Sequence, residues 1–253
     1  LVRSLSAGPD GSEAAGTAIM TTDTRLKEAA VEFTLGGKTC RMGGICNGSG
    51  MIEPNMATML CFITTDASVS PDILQQALRE SIRTTFNMVS IDGDTSTNDT
   101  ILILANGKAG NAEIASADGD YAAFTEALRT LCETLCRMIA KDGEGATKLI
   151  TCTVRGADGE ETARKIAKSV IKSTLFKCAV FGCDANWGRI LCAIGYTDAE
   201  FDISCVSVWL SSPAGRVQVC ERGAGVDFSE DEALAVLQQD EVTVEVEMGA
   251  GDA

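Results

Sequence analysis

The chain of 253 residues contains segments with the hydrophobic periodicity of helices and segments with that of strands. The order of these segments restricts the possible folds more than any other feature of the sequence. Apolar residues recur at helical spacing over 72–88, 121–140 and 162–174, which predicts three amphipathic helices. The predicted strands do not alternate regularly with these helices, and no GxGxxG motif follows the first strand. We therefore expect an α+β fold of layered sheets and helices instead of a doubly wound parallel sheet. No linker divides the sequence, so a single domain is expected over 1–253.

Alternating or continuous apolar runs predict the strands. A hairpin is expected over 29–42, with its turn at Gly36-Gly37. Further strands are expected at 59–65, 101–105, 149–154, 178–181, 190–195, 203–210, 217–220 and 242–248. A short helix is expected at 231–237, and a loop followed by a short helix within residues 1–20. Residues 43–55 are rich in glycine, which is costly inside a helix, and are expected to form a loop.

The charge balance argues against a nucleic-acid partner. The chain carries 36 acidic side chains against 21 of Lys and Arg, a net charge of −15, whereas binding to a phosphate backbone depends on Lys and Arg. No apolar run approaches the ~18 residues of a membrane-spanning helix. The first residues lack a basic region followed by an apolar stretch, so no secretory signal is expected. We expect no nucleic-acid partner, no membrane partner and no secretion.

The sequence contains no histidine, and this excludes several catalytic mechanisms at once. A Ser-His-Asp triad, a Cys-His dyad and an HExxH zinc site all require imidazole. A nucleophile in this chain must therefore use another base. Lysine, a carboxylate and a free α-amino group remain, and the last of these serves N-terminal threonine nucleophiles.

The cysteines are numerous but have no metal-binding spacing. There are 11 of them with no CxxC pair, and most lie within apolar stretches, so we expect buried structural thiols and no metal site. An odd number in a chain of this length favours a reducing compartment over a disulfide scaffold. Cys132 and Cys136 are spaced to share one face of the helix predicted over 121–140.

Four glycine-rich or polar loops are candidates for a functional site. They are GGICNGSGMIEPNMATML (43–60), SIDGDTSTNDT (90–100), KDGEGATK (141–148) and FGCDANWGRI (181–190). Loops carry binding and catalytic residues more often than packed elements do. Ala57 and Thr58 lie between the first of these loops and a predicted buried strand, where small side chains suit a backbone that is approached closely.

Five motifs, in order, resemble those of one enzyme family. They are AIMTTDT (18–24), GSGMIEPNMATML (48–60), DGDTSTND (92–99), DGEGATK (142–148) and FGCDANWGRI (181–190). Together they resemble the ornithine acetyltransferase family, also called bifunctional glutamate N-acetyltransferase. The resemblance implies an αββα-type sandwich within the α+β class, related to an aminopeptidase group that also cleaves itself. It further implies a pair of α and β chains that assembles as a heterotetramer.

The resemblance also implies a mechanism without histidine. Family members cleave their own chain at the Ala-Thr bond of NMATML, which is Ala57-Thr58 here. The Thr58 hydroxyl would then take the acetyl group of N-acetylornithine as an ester and pass it to glutamate in a ping-pong reaction of arginine biosynthesis. The free α-amino group, with a pKa near ~8, would serve as base. No cofactor is implied, and acetyl-CoA remains open as a co-substrate.

Three further residues receive roles from the resemblance. Glu144 of DGEGATK would contact the amine of the substrate, as a carboxylate suits an ammonium. Thr21 of the TTDT motif would line the site, with Thr22 as the neighbouring alternative. Asn47 stands where relatives have a lysine before GSG, so an amide replaces a cation that meets the substrate carboxylate.

Two alternatives stay open at this point. A self-processing amidase or aminopeptidase would share the threonine chemistry but pass the acyl group to water, and a non-catalytic homologue would be kept for assembly or ligand sensing. The resemblance also implies that family segments before Leu1 and after Ala253 are missing, including threonine-glycine donors to the oxyanion. The expected compartment is the cytoplasm in a bacterium, or the mitochondrial matrix or plastid in a eukaryote.

Overall fold

The computed structural model describes residues 6, 8–53, 59–95 and 97–251, which belong to two compact units, Leu1–Gly145 and Ala146–Ala253. No stretch of linker composition marks this division in the sequence. The single catalytic domain over 1–253 stays a prediction. Within the described ranges, no helix has the length and apolar character needed to cross a membrane.

The first unit is built on a mixed four-stranded sheet. Its strands are β1 (Lys27–Leu35), β2 (Lys38–Cys46), β3 (Leu60–Thr65) and β4 (Thr100–Ala105), in the order β1-β2-β3-β4. The β1-β2 and β2-β3 pairs are antiparallel, and the β3-β4 pair is parallel. The predicted hairpin is confirmed, and both Gly36 and Gly37 adopt the positive φ that a tight two-residue turn requires.

Among the described residues of this unit, three helices accompany the sheet: α1 (Pro9–Ile19), α2 (Pro71–Thr84) and α3 (Tyr121–Lys141), with a short 3-10 turn at Phe86–Met88. Most of the apolar stripe predicted for α3 is buried: Leu128, Leu131, Leu135 and Ile139 have 0% exposure, while Met138 is partly buried. Each such leucine stabilises the fold by about 1.5–3 kcal/mol relative to an exposed one. Pro9 begins α1 inside the segment expected as a loop, because proline is well suited to a first helical position.

The expected loop over 43–55 is wrong for its first four residues, because β2 runs on to Cys46 and pairs with both neighbouring strands. Gly44 lies in this strand against Leu131 and Leu135 of α3, where a larger side chain would collide with the helix. The glycine at this position therefore serves close packing of helix on sheet, which the composition of the segment does not distinguish from a loop.

The second unit contains a mixed five-stranded sheet and four helices. The strands, in the order β5-β9-β6-β7-β8, are β5 (Leu149–Arg155), β9 (Glu241–Glu247), β6 (Ser207–Ser212), β7 (Gly215–Glu221) and β8 (Ala224–Gly225). The helices are α4 (Glu160–Lys172), α5 (Thr174–Phe181), α6 (Trp187–Gly195) and α7 (Glu230–Leu237). The β5-β9 pair is parallel and the other pairs are antiparallel. Mixed sheets with helices in both units confirm the α+β class.

Two strand predictions in the second unit are wrong. Residues 178–181 and 190–195 belong to the helices α5 and α6. Short apolar runs of this length do not distinguish a strand from a buried helix. The helix starts are set by polar caps, since Ser173 Oγ accepts the N–H of Phe176 and Asn186 Oδ1 accepts the N–H of Arg189. The strand expected at 203–210 begins only at Ser207, after a 3-10 turn at Ile203–Cys205.

These helices also correct the expectation of buried thiols. Cys178 and Cys192 lie on the exposed faces of α5 and α6, and Cys205 is exposed as well. The other cysteines follow the prediction more closely, because six are buried, including Cys132 and Cys136 on α3. Burial raises the pKa of Cys132 to about 12, so that thiol stays protonated and behaves as a small apolar side chain.

Candidate active site

The glycine-rich loop after β2 is fixed in the first unit by the amide of Asn47. Its Oδ1 accepts the N–H of Leu60 at 2.7 Å, and its Nδ2 donates to the carbonyl of Ile19 at 2.6 Å. The backbone N–H of Asn47 also donates to the carbonyl of Leu60 at 3.0 Å. Only 7% of Asn47 is exposed. The residue therefore connects the end of α1, the end of β2 and the start of β3.

The TTDT segment contacts this loop through Asp23. The N–H of Gly48 donates to Oδ1 of Asp23 at 2.7 Å, and the N–H of Thr21 donates to Oδ2 at 3.0 Å. The Ser49 hydroxyl donates to the carbonyl of Thr22 at 3.4 Å. Thr21 itself is exposed, and its hydroxyl donates to Oδ2 of Asp23 at 3.5 Å, which leaves the hydroxyl oxygen able to accept a hydrogen bond from a ligand.

The DGEG segment reaches the same loop from the end of α3. The N–H of Glu144 donates to the carbonyl of Ser49 at 2.8 Å, while the residue remains exposed. Its carboxylate lies against Gly50, where an added Cβ would come within 2.6 Å of the carboxyl carbon. A Cβ at this distance would displace the flexible end of the Glu144 side chain, so glycine at position 50 leaves room for the carboxylate in this place.

The DGDT segment binds the far end of the loop. The carboxylate of Asp92 accepts the N–H of Met51 at 2.5 Å and the N–H of Ile52 at 3.1 Å. The N–H of Ile91 donates to the carbonyl of Ile52 at 2.7 Å. These contacts fix the backbone immediately before residues 54–58.

Four of the five sequence motifs therefore meet around one short segment, Asn47 to Glu53, which we call the site loop. Motif residues from 18–24, 92–99 and 142–148 all contact it, and the loop itself belongs to the motif at 48–60. A sequence model of the ArgJ family matches residues 1–253.

The chain belongs to the ArgJ family.

Individual members of the ArgJ family are similar to the chain over most of its length. It is 52% identical over 240 residues to the "Arginine biosynthesis bifunctional protein ArgJ" of Geobacillus stearothermophilus, an alignment that covers 95% of this chain and 58% of that protein. The protein of the same name from Thermotoga neapolitana is 47% identical over 234 residues, covering 92% of this chain and 59% of that protein. The chain thus spans less than two thirds of the length of these relatives.

A solved member of the ArgJ family shares the fold. The crystal structure of arginine biosynthesis bifunctional protein ArgJ from Bacillus halodurans matches with a TM-score of 0.69 and 39% sequence identity. The match covers 75% of this chain and 87% of that chain. The family resemblance and the fold class expected from the sequence are both confirmed.

The residues assigned from the ArgJ motifs have different positions in the structure. Thr21, Asn47 and Glu144 are joined through the site loop by the contacts above. Ala57 and Thr58 lie outside the described residues, so the cleavage site stays a prediction. The motif at 181–190 belongs to the second unit, where Asn186 caps α6 and its Nδ2 donates to Asp184 at 3.0 Å.

A buried ion cluster lies beneath the site loop. Lys27 Nζ is 2.5 Å from Oδ1 of Asp23 and 2.6 Å from Oδ2 of Asp142, and only 1% of the lysine side chain is exposed. Asp142 also accepts the N–H and the hydroxyl of Thr24. Burying an ion costs several kcal/mol unless a partner and hydrogen bonds compensate, and this cluster supplies both.

The protonation of this cluster follows from its contacts. Burial raises the pKa of Asp23, but the hydrogen bond from Lys27 and the N–H donors of Thr21 and Gly48 outweigh it, leaving the pKa below its ordinary value. Burial likewise raises the pKa of Asp142, and the bonds from Lys27 and Thr24 lower it by more. Both carboxylates are therefore ionised at neutral pH.

The sequence did not single out the members of this cluster. Asp23 and Asp142 lie within two of the family motifs, and this position is the sequence signal that could have identified them. The family resemblance, however, assigns no role to either residue. Lys27 begins a strand and is 115 residues from Asp142 in sequence, so no local pattern indicates their contact. Asp92 was likewise present in a motif without an assigned function.

Proposed function

We propose that the protein transfers an acetyl group from N-acetylornithine to glutamate in arginine biosynthesis, after cleaving itself between Ala57 and Thr58. The observation that carries this proposal is the meeting of four family motifs at the site loop, which leads directly into residues 54–58. The names of the relatives, arginine biosynthesis bifunctional proteins, support the same pathway.

The chemistry proceeds in two balanced half-reactions. The Thr58 hydroxyl attacks the acetyl carbonyl, and its proton passes through the free α-amino group to the departing ornithine nitrogen. An acetyl ester on Thr58 remains. In the second half, the amine of glutamate attacks the ester, the threonine hydroxyl is restored, and N-acetylglutamate leaves.

Two exposed side chains at the site loop suit these substrates. The Glu144 carboxylate is available to the ammonium of ornithine, and the oxygen of the Thr21 hydroxyl, whose hydrogen is donated to Asp23, is available to accept a hydrogen bond. Asn47 contributes less than a lysine would. One Nδ2 hydrogen and Oδ1 are used by Ile19 and Leu60, which leaves the second Nδ2 hydrogen for a substrate carboxylate.

A product assay tests this function and its rivals. The complete natural protein is incubated with N-acetylornithine, with and without glutamate. We expect ornithine and N-acetylglutamate when glutamate is present, and little free acetate without it. Free acetate as the main product would identify a self-processing amidase instead. Saturable binding of ornithine with no turnover of N-acetylornithine would identify the non-catalytic homologue.

Acetyl-CoA as a second acetyl donor is a separate part of the proposal. The protein is incubated with acetyl-CoA and glutamate, and the free thiol of CoA is followed over time. Thiol release that requires glutamate would support this donor. No release above the rate without protein would restrict the enzyme to acetyl recycling.

The assembly and compartment are proposed on the same basis. The two chains produced by cleavage stay paired and form a heterotetramer, as the family resemblance implies. The relatives reported above are bacterial, which favours the cytoplasm among the compartments considered. Native mass spectrometry of the purified protein tests the assembly, and a mass other than that of two α and two β chains would contradict it.

A further inference from the structure

The buried ion cluster of Lys27, Asp23 and Asp142 has no direct access to a substrate. The lysine side chain is 1% exposed and those of the two aspartates are 0% and 6% exposed. A lysine placed so deeply between two carboxylates is held by both of them and cannot reach a substrate as a nucleophile or base. Any effect of Lys27 on the site must therefore act through the groups that hydrogen-bond to the two aspartates.

Each aspartate of the cluster holds a different side of the site. Asp23 accepts the N–H groups of Thr21 and Gly48, and thereby fixes the threonine segment to the site loop. Asp142 lies two residues before Glu144 and accepts the N–H and hydroxyl of Thr24. The single ammonium of Lys27 joins these two carboxylates.

We propose that Lys27 is a positioning residue that sets Thr21, the site loop and Glu144 in one arrangement through Asp23 and Asp142. The proposal deepens the acetyl-transfer function proposed above and rests on it for its kinetic part. Its structural part, the coupling of three loops through one buried ammonium, is independent of the reaction.

The two aspartates should give different kinetic defects. In Asp23→Asn the amide has one acceptor oxygen where the carboxylate has two. It therefore cannot accept the N–H of Thr21 on one side and the N–H of Gly48 on the other. A displacement of about 1 Å at a catalytic group costs on the order of 10²-fold, and we expect kcat to fall by that scale. Asp142→Asn affects the side of the site that carries Glu144. We expect the KM for N-acetylornithine to rise roughly tenfold, a change of the size expected when one charged hydrogen bond to the substrate is lost.

The chain offers a matched control on the same hairpin. Glu32 pairs with Arg41 at 3.0 Å, with side chains 61% and 70% exposed. Glu32→Gln replaces a carboxylate beside a cation by an amide, as Asp23→Asn and Asp142→Asn do, but it does so at the surface. An exposed pair contributes little, so kcat and KM should equal those of the natural protein.

Hydrogen exchange gives a readout that needs no activity. In Lys27→Met, two carboxylates face one another without the ammonium, and we expect faster amide exchange in three separate segments, 20–24, 47–52 and 142–145. Exchange in α2 (Pro71–Thr84), which lies outside these three segments, should not change. If Lys27→Met fails to fold, Asp23→Asn is measured in its place, with faster exchange expected in 20–24 and 47–52.

The outcomes separate this inference from the proposed function. Faster exchange limited to these segments, together with the division between kcat and KM, supports the inference. Two results would overturn it. The first is faster exchange throughout the first unit, with kcat reduced only by the unfolded fraction of the protein and KM unchanged. The second is amide exchange in the cluster variants equal to that of Glu32→Gln. If the natural protein makes no N-acetylglutamate, the proposed function fails, and the exchange experiment alone decides the role of Lys27.

Discussion

Replacing Asn47 by lysine should destabilise the protein, even though relatives have lysine at this position. In this chain Oδ1 of Asn47 accepts the N–H of Leu60 at 2.7 Å in a site that is 7% exposed. Lysine has no acceptor, so the Leu60 N–H would be left unsatisfied at a cost of about 1–3 kcal/mol. A partly exposed ion pair with a substrate carboxylate would strengthen substrate binding by only about 0.2–1 kcal/mol, and it adds nothing to the stability of the substrate-free protein. We therefore expect the free energy of unfolding of the substrate-free protein to fall by about 1–3 kcal/mol, with a modest gain in affinity for both N-acetylornithine and glutamate.

Urea unfolding measures the stability part of this prediction, and Michaelis constants measure the affinity part. Asn106→Lys is the matched control, since the Asn106 side chain also accepts one backbone N–H, that of Lys108, but is exposed. We expect this control to stay within about 0.5 kcal/mol of the natural protein. Equal free energies of unfolding for Asn47→Lys and Asn106→Lys would refute the role of the Leu60 bond. Unchanged or weaker binding of both substrates would refute the electrostatic part and favour a different ligand.

Three more predictions concern the carboxylates of the site. Glu144→Gln should weaken binding of N-acetylornithine by about 1.5–3 kcal/mol, since it removes a charged hydrogen bond, while self-cleavage persists. Gly50→Ala should have a smaller effect in the same direction, because its Cβ would displace the flexible end of the Glu144 side chain without removing its charge; an unchanged KM in both variants would remove Glu144 from the site. The pKa values of Asp23 and Asp142 are lowered from 3.8, so the stability they contribute is present above that value and is lost as pH falls through the folded-state pKa values. Melting temperatures measured from pH 6 to pH 3 should fall less steeply at the acid end for Asp23→Asn than for the natural protein, and parallel curves would contradict this.

The sequence predicts the long and strongly periodic elements of the fold well. The helix expected over 121–140 is observed at Tyr121–Lys141, and the hairpin turns at Gly36-Gly37 as expected. Periodicity decides these cases because each spans several repeats. The helices α5 and α6 are not predictable in the same way, because their apolar runs are as short as those of strands and their starts depend on the single caps Ser173 and Asn186.

The site is predictable in its parts but not in its supporting contacts. Glycine loops and family motifs identified Thr21, Asn47 and Glu144, and the structure brings their segments together at the site loop. The bridge from Lys27 to Asp142 spans 115 residues and exists only after α3 has packed on the sheet. The engagement of the Asn47 amide by Leu60 likewise depends on the pairing of β2 with β3, which the motif does not encode.

The intact mass of the natural protein tests the central claim most directly, because the account requires Thr58 to become an N-terminal nucleophile. We predict two chains separated at the Ala57-Thr58 bond, with the chain that begins at Thr58 gaining one acetyl group when N-acetylornithine is supplied without glutamate. Thr58→Ala should remain a single chain and make no N-acetylglutamate. An uncleaved natural protein that transfers acetyl, or a Thr58→Ala variant that transfers normally, would contradict the account.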